Sequence, residues 1–416
     1  MKHQLQDRTV LVAGMGKSGK AAMELLQKHG AVVRATDEKP LEGVLPQSEE
    51  TFTSADLIVL SPGVPTDIAP IEAARLKGIP IIGEVELASY FLKGPICGVT
   101  GANGKTTTTA LIGHLLKESG VPCQVGGNIG TPPTAMIDTS KDGQWNVLEL
   151  SSFQLETIDE FKADIAVCTN VTPDHLDRHH TFEAYAAAKG RLFEKATHAV
   201  LNADDSTCRS YAKGKTHWFS RKQFDGTTIF IDSKPLITAD ELPIRGMHNV
   251  ENVMAAVTAA LIAGAEFEKL SAALKSFPGV EHRLEFVRER DGVKYYNDSK
   301  ATNVDATEKA IDAFPGNLWI ILGGKDKNSD YTVLRDKLKA KAKGILLIGA
   351  ATPIIAKQLD GLPLIETGTI DKAVSKASSS ATRGDVVVLA PACASFDQFE
   401  NYEHRGRVFK DLVRSL

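Results

Sequence analysis

Lys105 stands directly after the turn Gly101-Ala102-Asn103-Gly104 and directly before Thr106 and Thr107. A lysine and hydroxyls behind a glycine turn are the groups that hold a nucleoside triphosphate. Backbone N–H groups face the phosphates, the lysine adds a positive charge, and the first hydroxyl can hold Mg²⁺. The flanking stretch, residues 96–120, supplies the elements to position them. Ile96, Cys97, Gly98 and Val99 read as a short buried strand. Leu111, Ile112, Leu115 and Leu116 mark one face of a helix, and Gly120 ends it. The usual loop carries a glycine five residues before Gly104, where this chain has Val99, so the loop is a shortened variant.

Further candidates follow. Residues 146–150 (NVLEL) read as a strand that carries Glu149. A carboxylate in an apolar strand is costly unless paired or metal-bound, and phosphate-loop proteins commonly hold Mg²⁺ through an acid from a neighbouring strand. The alternative is an edge-strand glutamate facing water. A strand at 163–171 runs into Thr172-Pro173-Asp174-His175, with His179 four residues on. That spacing suggests zinc, but no third soft ligand is evident; one histidine can instead assist Mg²⁺. Lys189 lies on a helix spanning 182–196 and by its own chemistry reads as a solvated helix lysine. Asn249 and Asn252 share one face near the start of a helix over 246–263. Their amides both donate and accept, which suits a purine; capping of the helix is the competing role.

The N-terminal stretch has its own glycine turn, Gly14-Met15-Gly16-Lys17-Ser18-Gly19, between a strand at 9–14 and a helix at 21–28. Asp37 closes the next strand (31–36), about twenty residues past the glycines, and Glu38 and Lys39 follow it. This is the dinucleotide-binding fingerprint, and alone it favours a nicotinamide dehydrogenase. The same turn grips any pyrophosphate, UDP included. Strands at 56–60 and 79–82 and a helix at 84–92 complete a small αβ unit. Beyond a seam near Phe277-Pro278-Gly279, strands at 293–297, 318–322, 344–348 and 385–389 alternate with helices at 305–313 and 331–341. This predicts a mainly parallel third sheet. Polar loops at 297–303, 323–327 and 391–397 leave its strand ends at one edge, a placement that suggests a site facing the phosphate loop across a cleft.

At 416 residues two to four domains are expected. The apolar (43%) and charged (24%) shares are those of a globular protein, and a net charge of −4 leaves no basic footprint for nucleic acid. Five cysteines without repeated spacing argue against a disulfide framework and for reduced thiols in the cytoplasm. The start of the chain shows no signal-peptide core, and no apolar run is long enough for a membrane.

Taken in order, GANGKTT (101–107), LELSSFQ with its Glu149, NVTPDHLDRH (170–179) with Lys189 fourteen residues past His175, HNVENV (248–253), EHR (281–283), NDSKATN (297–303) and GGKDK (323–327) resemble the Mur ligases. PACASFDQFENYEHRG (391–406) resembles the branch that adds D-glutamate to UDP-N-acetylmuramoyl-L-alanine. Folylpolyglutamate synthases share the ATP core but not the N-terminal GMGKSG unit. The resemblance implies an α/β protein of three domains: a Rossmann-like UDP-binding domain (1–91), a central P-loop ATPase-like domain (92–279) and a C-terminal Rossmann-like amino-acid domain (280–416). It implies a monomeric ATP-dependent ligase of the cytoplasm that needs Mg²⁺, two ions being expected.

By the same resemblance, Gly101, Asn103, Gly104, Lys105, Thr106 and Thr107 embrace the phosphates. Asn249 and Asn252 take the adenine side, and Arg283 and Asp298 the rest of the nucleotide. Thr106, Glu149, His175 and Lys189 become the metal ligands, Lys189 as a carbamate, which reverses its reading as a solvated lysine; Lys105, His175 and Lys189 are the catalytic set. Gly16, Lys17, Ser18, Asp37, Glu38 and Lys39 fall where UDP is gripped, and Asn128 on the muramoyl side. Lys327, Ser395 and Tyr402, with Thr302 nearby, match the D-glutamate positions. Lys325 ahead of Asp326 is a variant spacing, which leaves open which lysine meets the amino acid.

Overall fold

The computed structural model describes residues 5–416. Three αβ sheets follow one another along the chain. The first is built of β1 (Thr9–Ala13), β2 (Val32–Thr36), β3 (Leu57–Leu60) and β4 (Ile81–Gly83), all parallel, in the order β2-β1-β3-β4. β3 is apolar throughout and β1 is apolar after Thr9, because helices cover both faces of a parallel sheet.

The second sheet holds β5 (Ile96–Thr100), β6 (Cys123–Gly127), β7 (Trp145–Glu149), β8 (Ile165–Cys168), β9 (His198–Asn202) and β10 (Lys215–Phe219) in the order β10-β9-β8-β5-β7-β6. β5 therefore lies centrally, flanked by β7 and β8. That places the phosphate loop, the end of β7 with Glu149 and the end of β8 side by side at one sheet edge, where parallel sheets bind ligands. A hairpin of β11 (Thr228–Ile231) and β12 (Lys234–Thr238) follows.

The third sheet contains β13 (Glu285–Arg290), β14 (Val293–Asn297), β15 (Leu318–Gly323), β16 (Ala342–Ile348), β17 (Leu364–Gly368) and β18 (Val386–Leu389) in the order β13-β14-β18-β15-β16-β17. All pairs but β13–β14 are parallel. The three predicted polar loops leave β14, β18 and β15, which are adjacent, so they do meet at one edge.

Two compact units result. One takes the first two sheets, up to Leu242, together with His248–Phe277; the other takes Pro243–Met247 and Pro278–Leu416. In the first unit the two sheets are joined by buried acids on the helix Glu84–Ser89. Glu86 accepts from the N–H groups of Asp159, Glu160 and Phe161, and Glu84 from the N–H and hydroxyl of Thr134.

Several elements depart from the expected bounds. The strand at 163–171 stops at Cys168, because Thr169 and Asn170 turn aside to hold the phosphate loop. The helix expected at 331–341 opens as a 3₁₀ turn, Tyr331–Leu334, before Arg335–Lys341. Among the described residues no helix is long and apolar enough to cross a membrane.

Candidate active site

The phosphate loop joins β5 to the helix Lys105–Glu118. Gly104 caps that helix with φ +84° and offers no side chain, so the helix N terminus stays open to an anion. A Cβ on Gly104 would come within 2.2 Å of Asn252 Oδ1, so glycine is required on steric grounds as well. Thr169 Oγ1 and Asn170 Nδ2 both donate to Asn103 O, at 2.6 and 3.1 Å, while Asn103 N donates to Asn170 Oδ1 at 2.9 Å. Lys105 Nζ donates to the loop carbonyls of Gly101 (3.0 Å) and Ala102 (2.8 Å), and so lies folded over the turn.

Glu149 ends β7 and is 1% exposed. Its Oε1 accepts from Asn128 Nδ2 at 2.8 Å, and its Oε2 is buried without a hydrogen-bond partner. A buried carboxylate oxygen left bare is costly, and a cation is the partner that relieves it. This settles the choice left open at Glu149: the residue does not face water. Asn128 turns its amide to Glu149 and so orients the expected metal ligand.

Lys189 corrects its first reading. It is 1% exposed, and its Nζ donates to Gly101 O at 2.8 Å and lies 4.5 Å from the Tyr185 ring centroid. Burial, then the charge of Lys105, pulls its amine down to about 7. The helix Phe182–Glu194 turns this lysine inward against the phosphate loop.

The two histidines part company. His175, in the left-handed region at φ 52°, is half exposed; it faces Asp174 at 3.6 Å and packs edge-on to Phe153 at 4.9 Å. His179 is buried, 2.9 Å from Ser152 Oγ and 3.2 Å from Glu156 Oε1. Their spacing of four therefore builds no zinc pair. Among the described residues no group of three or more His, Cys, Asp and Glu side chains is placed to hold a metal. The oxygen set of Thr106, Glu149 and a modified Lys189 fits Mg²⁺, which prefers hard oxygen ligands; the bare Glu149 Oε2 is the observation that carries this fit.

Asn249 and Asn252 are buried, and Asn252 Nδ2 donates to Asn249 Oδ1 at 3.1 Å. Thr108 Oγ1 donates to Asn252 Oδ1 at 3.3 Å, which ties the asparagine pair to the phosphate-loop helix.

In the first sheet, Gly14 adopts φ +88°, and a Cβ there would meet Ser61 and Val64 within 3 Å. Asp37 binds the glycine turn itself: Oδ2 accepts from Met15 N at 2.6 Å and Oδ1 from Lys39 N at 2.9 Å. Those bonds, that of Met15 first, hold its carboxyl below the usual range. Gly16 caps the helix that opens with Lys17 and Ser18, and makes no side-chain cap bond.

In the other unit Asp298 is buried, and burial pushes its carboxyl up to about 6 against the opposing charge of Arg283. Arg283 Nε is buried without a hydrogen-bond partner. Loops 323–327 and 391–397 are stitched by Lys325 N to Ala394 O (2.8 Å) and Ala394 N to Lys325 O (3.1 Å). Ser395 is 2% exposed. Tyr402 opens the helix Tyr402–Ser415, which sequence reasoning missed, and its carbonyl accepts from Ser299 Oγ at 2.8 Å. Thr302 follows the same 297–303 loop, its N–H donating to Lys300 O at 2.8 Å.

Three family models match successive parts of the chain: "Mur ligase MurD-like, N-terminal domain" at 8–83, "Mur ligase middle domain" at 99–260 and "Mur ligase, glutamate ligase domain" at 282–393. The chain is 57% identical to a UDP-N-acetylmuramoylalanine--D-glutamate ligase of Solibacter usitatus, with 99% of each covered. The chain belongs to the Mur ligase family. A second relative of the same name, from Acidobacterium capsulatum, is 50% identical over 99% of this chain and 97% of its own. Among solved structures, a UDP-N-acetylmuramate-alanine ligase from Thermotoga maritima shares the fold at a TM-score of 0.64 and 18% identity, covering 98% of this chain and 99% of that one. A MurF ligase from the same organism, solved with ADP, also scores 0.64 at 18% identity, covering 100% and 97%. Mur ligase membership accounts for the phosphate loop and the GMGKSG unit in one chain, which a dehydrogenase does not.

Proposed function

We infer that this Mur ligase joins D-glutamate to UDP-N-acetylmuramoyl-L-alanine at the expense of ATP, through an acyl phosphate. The observation that carries the reading is the juxtaposition of an open helix N terminus, the bare buried oxygen of Glu149 and the buried amine of Lys189. The names of the relatives point to the amino acid.

A carboxylate is a poor electrophile, so amide formation needs one of its oxygens turned into a leaving group. The terminal carboxylate oxygen of UDP-N-acetylmuramoyl-L-alanine takes the γ-phosphoryl of ATP, and ADP leaves. The α-amine of D-glutamate attacks the acyl carbon, phosphate departs with that oxygen, and the amine proton passes to solvent. Both reactants of the first step are anions, so the work of the protein is positioning and charge neutralisation. Lys105 swings from the loop carbonyls to the phosphates, and the N–H groups at the helix start take the phosphate oxygens. Asn128 holds Glu149 in place. Thr106, Glu149, His175 and Lys189 are the residues that would hold Mg²⁺, two ions in our reading, which supplies charge neutralisation on the phosphoryl oxygens.

Lys189 serves as a carbamate in this reading. Only the free amine reacts with CO₂, forming the N–C bond and releasing one proton. With its amine drawn down to about 7 by burial, a far larger share is free at neutral pH than for an ordinary lysine. Lys327 and Ser395, with Tyr402 and Thr302, hold D-glutamate. The GMGKSG turn with Lys17, Ser18, Asp37, Glu38 and Lys39 holds UDP. We take the domains as 1–91, 92–279 and 280–416, and the enzyme as a monomer of the cytoplasm.

The test is phosphate release with UDP-N-acetylmuramoyl-L-alanine, ATP, Mg²⁺ and a panel of amino acids. Release with D-glutamate is expected. Release with another amino acid alone would move the chain to a sister activity.

A further inference from the structure

Arg405 is the largest side chain with no exposed surface. It lies on the helix Tyr402–Ser415, and its guanidinium points away from solvent into the junction of two loops. Nε donates to Ser299 Oγ (3.0 Å), Nη1 to Cys393 O (3.2 Å) and Ala394 O (3.4 Å), and Nη2 to Ser299 O (2.9 Å) and Cys393 O (3.1 Å). A guanidinium has five N–H donors in a fixed fork, and each has an acceptor here. A third loop closes on the same group. A Cβ on Gly324 would meet Ala394 O at 2.3 Å and Arg405 Nη1 at 3.1 Å, and Gly324 has φ +137°.

The charge is not neutralised locally. The four acceptor atoms of these five bonds are three carbonyls and a hydroxyl, and among the described residues no carboxylate lies within ion-pair distance of the guanidinium. Burial pulls the guanidinium down to about 10, so it is charged at neutral pH. Asp397, the acid whose charge acts on it, already accepts from Ala350 N at 2.9 Å. Burying a cation without a counter-ion is costly, and a hydrophobic side chain would serve mere packing better.

The three loops are those that carry Ser395, Thr302 and Lys327. Ser299 Oγ also donates to Tyr402 O, so Arg405, Ser299 and Tyr402 form one chain of contacts. We propose that Arg405 is a positioning residue of the amino-acid site, its fork fixing the three loops and its unneutralised charge biasing the site toward a dicarboxylic amino acid. This rests on the assignment of these loops to D-glutamate.

Two variants separate geometry from charge. Arg405→Lys, assayed at a pH low enough to hold a buried ammonium in its charged form, keeps the charge but has three donors and no planar fork. Its KM for D-glutamate should rise about 10- to 100-fold, with KM for ATP and for the UDP substrate within about twofold of the parent. Arg405→Met should in addition narrow the preference for D-glutamate over D-glutamine, which Arg405→Lys should retain. Ser299→Ala, a milder change, removes only the hydroxyl between Nε and Tyr402 O and should raise the same KM about 3- to 10-fold; it is the deciding variant if either arginine variant fails to fold. An unchanged D-glutamate KM in a folded Arg405→Lys or Ser299→Ala enzyme, or a loss shared equally by all three substrates, overturns the proposal. A parent that turns over a different amino acid overturns the D-glutamate assignment instead, and the KM of that acceptor in the variants then decides the role of Arg405.

Discussion

Replacing Glu84 by glutamine should make the protein more stable, and the gain should depend on pH. Glu84 starts the helix that joins the first two sheets and is 1% exposed. Oε1 accepts from Thr134 N (2.7 Å) and Thr134 Oγ1 (2.6 Å), while Oε2 is buried without a partner. Burial is the dominant influence and pushes the carboxyl from 4.5 up to about 7, against the lowering effect of the Thr134 bonds. At about 1.4 kcal/mol per pH unit, that shift is worth about 3 kcal/mol. The sign follows from linkage. In the unfolded chain the acid loses its proton near 4.5, whereas the folded chain keeps it until about 7. Stability is therefore full below 4.5, falls as the pH rises to about 7, and is level above that. Glutamine keeps an acceptor for Thr134 and does not titrate. The stability of Glu84→Gln relative to the parent should rise by about 2–3 kcal/mol between pH 5 and pH 8. Thermal unfolding of both proteins across that range reads it as a gap in Tm that widens by several degrees. Parallel Tm profiles would refute the reasoning, because they would mean that Glu84 titrates alike in the folded and unfolded chain.

Lys189→Ala should fold and lose about 100-fold or more in turnover, with partial rescue by small carboxylates that can occupy the space left; near-normal turnover would remove Lys189 from the metal site. Asn128→Ala frees Glu149 Oε1 and should shift the Mg²⁺ saturation curve about tenfold toward higher concentration; an unmoved curve would show that Glu149 needs no such support.

Much of this could be read from the residues in order. The glycine turns, the lysine and hydroxyls after them and the apolar strands are local signals, because loop, helix start and strand are set by neighbouring residues. What escaped depends on packing between distant segments. Lys189 looks solvated in AAAKG, and only the approach of its helix to Gly101, 88 residues earlier, buries it. His175 and His179 share a helical spacing that suggests one metal, yet the chain turns at His175 into the left-handed region and sends only His179 into the core, against Ser152. Asp37 was legible as the acid of a dinucleotide fingerprint, but its contact with Met15 N comes from the pairing of β1 with β2. Thr169 and Asn170 carried no signal as loop clamps, because polar residues at a strand end look like any turn. Arg405 was equally silent: an arginine in a polar helix reads as surface until three loops are seen to wrap it. The helix Tyr402–Ser415 was missed altogether, although Asn401 caps it and Phe409 and Val413 bury one face.

The central claim is that the phosphoryl group goes to a carboxylate and not to water. Turnover with UDP-N-acetylmuramoyl-L-alanine labelled with ¹⁸O in its terminal carboxylate, followed by mass analysis of the released phosphate, tests it directly. An acyl phosphate predicts one ¹⁸O atom carried into each phosphate formed in the presence of D-glutamate. Unlabelled phosphate, with the displaced ¹⁸O released into water, would contradict it.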